Sequence, residues 1–110
     1  MEVENANGYE FRPTGYAYQH AKGYLKTEGL RPLLRVSRPE LIPDGEGGID
    51  IEWEHGNRKL ALSCRGRANQ RDFIYWRENG GQYDGDEASP ELLREKLSWL
   101  LRVRHIIIYA

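Results

Sequence analysis

The chain has 110 residues, 39% of them hydrophobic and 30% charged, with a formal net charge of -1. That length suits one domain with a modest core that needs no disulfide or metal. The near-neutral charge excludes a uniformly basic nucleic-acid or membrane binder while leaving room for a local basic patch. One cysteine, Cys64, rules out an internal disulfide and fits a reducing, cytoplasmic compartment.

Residues 1–12 are polar and acidic with no clear period. They read as a flexible arm without the pattern of a signal peptide. No apolar run approaches the roughly 18 residues that a membrane span needs. Residues 13–110 read as a single α+β domain. Its first element is a helix from about Pro13 to Glu28, where Tyr16, Ala17, His20, Ala21, Tyr24 and Leu25 recur at helical spacing. Gly29 stands where a C-terminal cap is expected. Interior Gly15 and Gly23 work against the helix, each by roughly 1 kcal/mol relative to alanine. Residues 30–48 read as a connector interrupted by Pro32, Pro39 and Pro43, with Leu33 and Leu34 as anchors and a short turn near Ser37–Leu41. Asp44-Gly45-Glu46-Gly47-Gly48 closes it with turn chemistry.

The next stretch carries the clearest pattern. Ile49, Ile51 and Trp53 alternate with Asp50, Glu52 and Glu54, and Leu60, Leu62 and Cys64 alternate with Lys59, Ala61 and Ser63. Between them Gly56-Asn57 suits a two-residue hairpin turn. That turn predicts Trp53 opposite Leu60, Ile51 opposite Leu62 and Ile49 opposite Cys64. One face is then apolar and the other polar. Arg65–Arg71 follows as a polar loop. Asp72–Arg77 reads as a third antiparallel strand in which either Phe73/Tyr75 or Ile74/Trp76 can face inward. Asn79-Gly80-Gly81 is a turn, and Gln82–Asp84 a short fourth strand. Ser89-Pro90 opens a helix over about 90–103, with Leu92, Leu93, Leu97, Leu100 and Leu101 as its apolar stripe. The Ile106-Ile107-Ile108 tail favours a last strand. The fold class expected is α+β: an N-terminal helix, a three- to four-stranded antiparallel meander, a C-terminal helix and a last strand.

Gly47-Gly48-Ile49-Asp50-Ile51-Glu52-Trp53, with Arg12-Pro13-Thr14-Gly15-Tyr16-Ala17-Tyr18 before it, resembles a group of small bacterial and phage proteins. That group is marked by a Gly-Gly-Ile-x-(Leu/Ile)-Glu-Trp strand. The resemblance covers residues 12–65 and implies a helix, a proline-containing connector and a hairpin. It implies no settled activity, and no functional residue is carried over.

Each candidate site has a plainer explanation beside it. Asp50, Glu52 and Glu54 can hold a divalent metal if other ligands converge; a solvated sheet face gives the same pattern and is the expectation. His20, His55 and His105 lack metal-ligand spacing. Cys64 has no histidine partner in sequence and sits on the core face, where it acts as a small hydrophobe. Gly47-Gly48 and Gly80-Gly81 are turns, since neither opens a helix with the lysine and hydroxyl of a phosphate loop. The sequence therefore predicts no catalytic residue, no cofactor and no bound metal.

Arg65, Arg67 and Arg71 in one loop, with Tyr75 and Trp76 beyond it, are the contact residues the sequence favours. Arg58 and Arg77 stand on neighbouring strands. Interfaces favour tyrosine, tryptophan and arginine, although a solvated loop gives the same arginines. The expected function is a small non-enzymatic protein-binding module, in the manner of antitoxins, immunity proteins or phage-borne inhibitors of host defence. The alternative is a nucleic-acid-binding module using the same arginines and aromatics; nearby Asp72, Glu78, Asp84, Asp86 and Glu87 dilute it. Ile106, Ile107 and Ile108 can also pair across a two-fold axis as a homodimer contact.

Overall fold

The computed structural model describes residues 12–101. The arm expected over 1–12 lies outside them except for Arg12, and so do the Ile106–Ile108 strand and its dimer contact. The described residues form helices α1 (Gly15–Leu25) and α2 (Arg31–Val36), strands β1 (Glu40–Pro43), β2 (Ile49–His55), β3 (Arg58–Cys64), β4 (Phe73–Glu78) and β5 (Asp84–Glu87), and helix α3 (Pro90–Leu101). The five strands make one antiparallel sheet in sequence order, a simple meander. This is the α+β class, with helices packed on one face of the sheet.

The β2–β3 hairpin has the register its alternation predicts: Ile49 opposite Cys64, Ile51 opposite Leu62, Trp53 opposite Leu60. The two-residue turn has positive φ at Gly56 alone (62°), the pattern of a turn that needs glycine only at its first central position. Pairing of Leu62 with Ile74 then settles the third strand. Ile74 is fully buried in the core, while Phe73 and Tyr75 point to the other face.

Against the apolar face lie Ala17 and Ala21 of α1 and Leu93, Leu97 and Leu100 of α3. The two alanines let α1 approach the sheet closely. Thr14 caps α1 by accepting from the Ala17 amide at 3.1 Å. Ser89 does the same for α3, accepting from Leu92 at 3.0 Å. Helix α1 stops at Leu25, three residues short of the expected end. Gly29 (φ 88°) serves the turn that follows and not the helix cap.

The structure adds two elements that the connector reading lacked. Helix α2 uses Pro32 in its first turn, where a missing amide costs nothing. Strand β1 pairs Glu40–Pro43 with Ile49–Glu52, and its closing proline sits at a sheet edge, the position that tolerates it. The meander is thus five strands. Its last is Asp84–Glu87 in place of Gln82–Asp84.

Candidate functional site

The open face of the sheet and the loop beside it are built from the root of that loop outward. Gly66 lies against Gly47: a Cβ on Gly66 would stand 2.8 Å from the Gly47 carbonyl carbon and oxygen. Thr14 completes the knot. Its amide donates to the Gly47 carbonyl at 2.8 Å, and its hydroxyl donates to the Gly66 carbonyl at 2.9 Å. Gly48 is equally confined, since a Cβ there would meet the Cys64 carbonyl at 2.6 Å. The glycine pair before the hairpin is therefore a packing requirement, and it fixes one end of the 65–71 loop.

Asp72 fixes the other end. Its side chain, 6% exposed, accepts from the Arg65 amide at 2.9 Å and from the His20 Nδ1 at 2.7 Å. Its own carbonyl accepts from the Ala88 amide at 2.9 Å. Tyr24 stands beside it. Burial first, then the Asp72 charge and a hydrogen bond to that carboxylate, push the Tyr24 hydroxyl up to about 12. Helix α1 is thus tied to the loop by a buried carboxylate. The imidazole of His20 packs at 4.1 Å against the Tyr16 ring and lines a shallow cleft with Gln19, Gly23, Tyr24 and Pro90.

A histidine oriented by a carboxylate is half of a general-base arrangement. Among the described residues no hydrogen bond joins the His20 ring to a serine, threonine or cysteine side chain. Burial, with Asp72 and Asp50 nearby, pushes the Cys64 thiol up to about 12, and Ser89 spends its hydroxyl on the α3 cap. The cluster reads as an anchor. Among the described residues no group of three or more histidine, cysteine, aspartate or glutamate side chains is placed to hold a metal ion. Burial also raises the Asp50 carboxyl, with Ser63 and Arg65 acting in the opposite direction.

The loop so held leads onto the open face. By register, that face carries Glu40, Asp50, Glu52 and Glu54 on β1 and β2, Lys59, Ala61 and Ser63 on β3, and Phe73, Tyr75 and Arg77 on β4. The rings of Phe73 and Tyr75 stack at 5.9 Å and 16°. Tyr75, 36% exposed, also lies over Gly85, where a Cβ would meet its ring at 2.7 Å. Arg77 stands over the Tyr83 ring at 4.7 Å, and Arg71 pairs with Glu87 at 2.8 Å. The face is aromatic on β4 and acidic on β1 and β2.

Of the contact residues expected from sequence, Arg65, Arg71 and Tyr75 come to this side, with exposed Arg67 in the loop between them. Trp76 does not join them. It pairs with Leu60 on the helix-covered face, where the Lys96 ammonium sits 4.0 Å from its ring. Strand alternation makes this unavoidable: neighbours in a strand point to opposite faces. Phe73 takes the place given to Trp76. The period of two required one member of each pair to face out but did not choose which.

Arg58 is likewise absent from the surface. It is buried, donates through Nε to Glu78 at 3.2 Å and through its guanidinium to the Trp99 carbonyl, and lies 4.6 Å over the Trp99 ring. No described helix is long and apolar enough to cross a membrane. No family model, curated protein or solved structure matches this chain.

Proposed function

We propose that this chain is a non-enzymatic protein-binding module whose open sheet face and adjoining arginine loop dock onto another macromolecule, in the manner of an antitoxin, immunity protein or phage-borne inhibitor. The observation that carries this reading is the stacked Phe73–Tyr75 pair on a sheet face that no described residue covers. Aromatic anchors ringed by arginine and carboxylate groups are the usual make-up of a protein interface. Arg65, Arg67 and Arg71 supply one rim; Glu40, Glu52 and Glu54 supply the other. The resemblance of residues 12–65 to the Gly-Gly-Ile-x-(Leu/Ile)-Glu-Trp group belongs to this reading as an indication of bacterial or phage origin and brings no activity with it.

The same stacked rings beside Arg71 favour a second reading, single-stranded nucleic acid. The acidic row on β1 and β2 opposes it, because phosphates approaching the rings meet those carboxylates. Affinity capture from the host lysate, with and without nuclease, separates the two. A stoichiometric protein partner that survives nuclease and is lost with the Phe73→Ser/Tyr75→Ala pair supports the first reading. Nucleic acid recovered with a steep salt dependence replaces it with the second.

A further inference from the structure

A second surface lies in the helical layer, away from the open face. Leu25 of α1, Arg31, Leu34 and Arg35 of α2, and Arg38-Pro39 line a groove of about 470 Å³. Its floor is apolar, since Leu25 and Leu34 pack against the core. Its walls are cationic. Arg31, Arg35 and Arg38 make no ion pair or hydrogen bond with any described residue. Glu28, which lines the adjoining cavity with Arg31, does not pair with it.

No described partner ties these arginines to the fold. Arg31 and Arg35 stand four apart on a six-residue helix, where like charges destabilise. The same segment concentrates exposed aliphatic surface. Val36 is 64% exposed and Leu41 48%, and they are the two large aliphatic side chains left exposed among the described residues. Three arginines without ion-pair or hydrogen-bond partners among the described residues, the apolar floor beside them and two exposed aliphatics nearby form a composite surface for an amphipathic anion.

We infer that this groove binds an acidic, leucine-bearing segment of a protein partner. Carboxylates meet the arginine forks, which match them bidentately, while aliphatic side chains fill the floor of Leu25, Leu34 and Pro39. A free phosphate would leave the apolar floor unused. A bilayer surface is too flat to enter a groove. This site is independent of the open face, so either can fail without the other.

The test is fluorescence anisotropy of a labelled twelve-residue peptide alternating glutamate with leucine and glycine, titrated with the full chain at low salt. The controls are the same peptide with glutamine for glutamate and vesicles containing phosphatidylserine. The inference predicts saturable binding of the acidic peptide and at least about tenfold weaker binding of the glutamine peptide. It also predicts a loss of about tenfold or more in the Arg35→Glu/Arg38→Glu variant, whose thermal midpoint stays near the parent's because both residues are exposed. Tyr75→Ala leaves this binding unchanged. Equal binding of the two peptides, no binding of the acidic one, an undiminished affinity in the charge-reversed variant, or binding to vesicles alone overturns it. If the charge-reversed variant unfolds, the Arg38→Gln single variant and the glutamine peptide still decide the matter.

Discussion

Asp72 shows how one buried carboxylate organises a surface it does not join. It receives the His20 imidazole and the Arg65 amide, and through its backbone it holds Ala88 at the start of the last connection. Replacing it with alanine leaves the His20 and Arg65 donors without their acceptor, while the backbone bond to Ala88 remains. We expect Asp72→Ala to destabilise the chain by about 2–3 kcal/mol, the cost of losing a charged, mostly buried hydrogen-bond centre; urea unfolding measures it. Loss below about 0.5 kcal/mol would show that the knot contributes little. The alkaline limb of stability follows from the neighbours. Tyr24 and Cys64 are both held well above their ordinary values, each to about 12. Groups that stay protonated longer in the folded state lose stability as pH rises from the unfolded value to the folded one. Stability should therefore fall from about pH 9 to 12, where those two titrate. Tyr24→Phe should make the upper part of that fall shallower, as seen in thermal midpoints across a pH series. None of this was legible beforehand. His20 and Asp72 meet across a separation of 52 residues, and no local pattern marks a partner that distant. Asp72 read only as one of several acids diluting a basic loop.

The hairpin was legible to the residue, because two independent constraints agree there: a period of two on both strands and a two-residue turn with glycine first. Strands β1 and β5 were not legible as placed. Glu40–Pro43 is too short to show a period, and Asp84–Glu87 has no apolar residue at all. Both exist because a neighbouring strand offers backbone partners. Their sequences then suit them to be edges, one ended by proline and the other acidic and exposed, which discourages pairing with other chains. Arg58 illustrates the opposite error, a charge read as surface and found inside. It stands two residues before Leu60, on the same face of the strand, so its side chain enters the covered layer and ties the hairpin turn to Trp99 of α3. Arg58→Ala should cost about 2 kcal/mol through lost packing and hydrogen bonds. Arg58→Lys should rescue less than half of that, because lysine lacks the fork that reaches Glu78 and Trp99 together. Chemical denaturation of the pair tests both statements, and full rescue by lysine would contradict the geometry.

The molecule as a whole has two unlike sides. One is a helical layer that closes the core and carries the arginine groove. The other is a sheet face on which no described helix packs, aromatic on β4 and acidic on β2, bordered by a loop that Thr14, Gly47 and Asp72 hold in place. Four of the five contact residues named from sequence reach that second side or its border, because loop and strand adjoin in the chain. Trp76 was misplaced because the inward face of β4 depends on its register against β3, which becomes visible only once the strands are paired.

Photo-crosslinking from the open face reports whether a protein partner docks there. A benzoylphenylalanine placed at Tyr75, and as a control at Gln19 on α1, is activated in the host lysate after nuclease treatment. Docking on the open face gives one dominant protein adduct from position 75, little from position 19, and loss of the adduct when Arg67 and Arg71 are reversed to glutamate. Equal labelling from both positions, or an adduct from position 19 alone, would show that the partner does not dock on the open face.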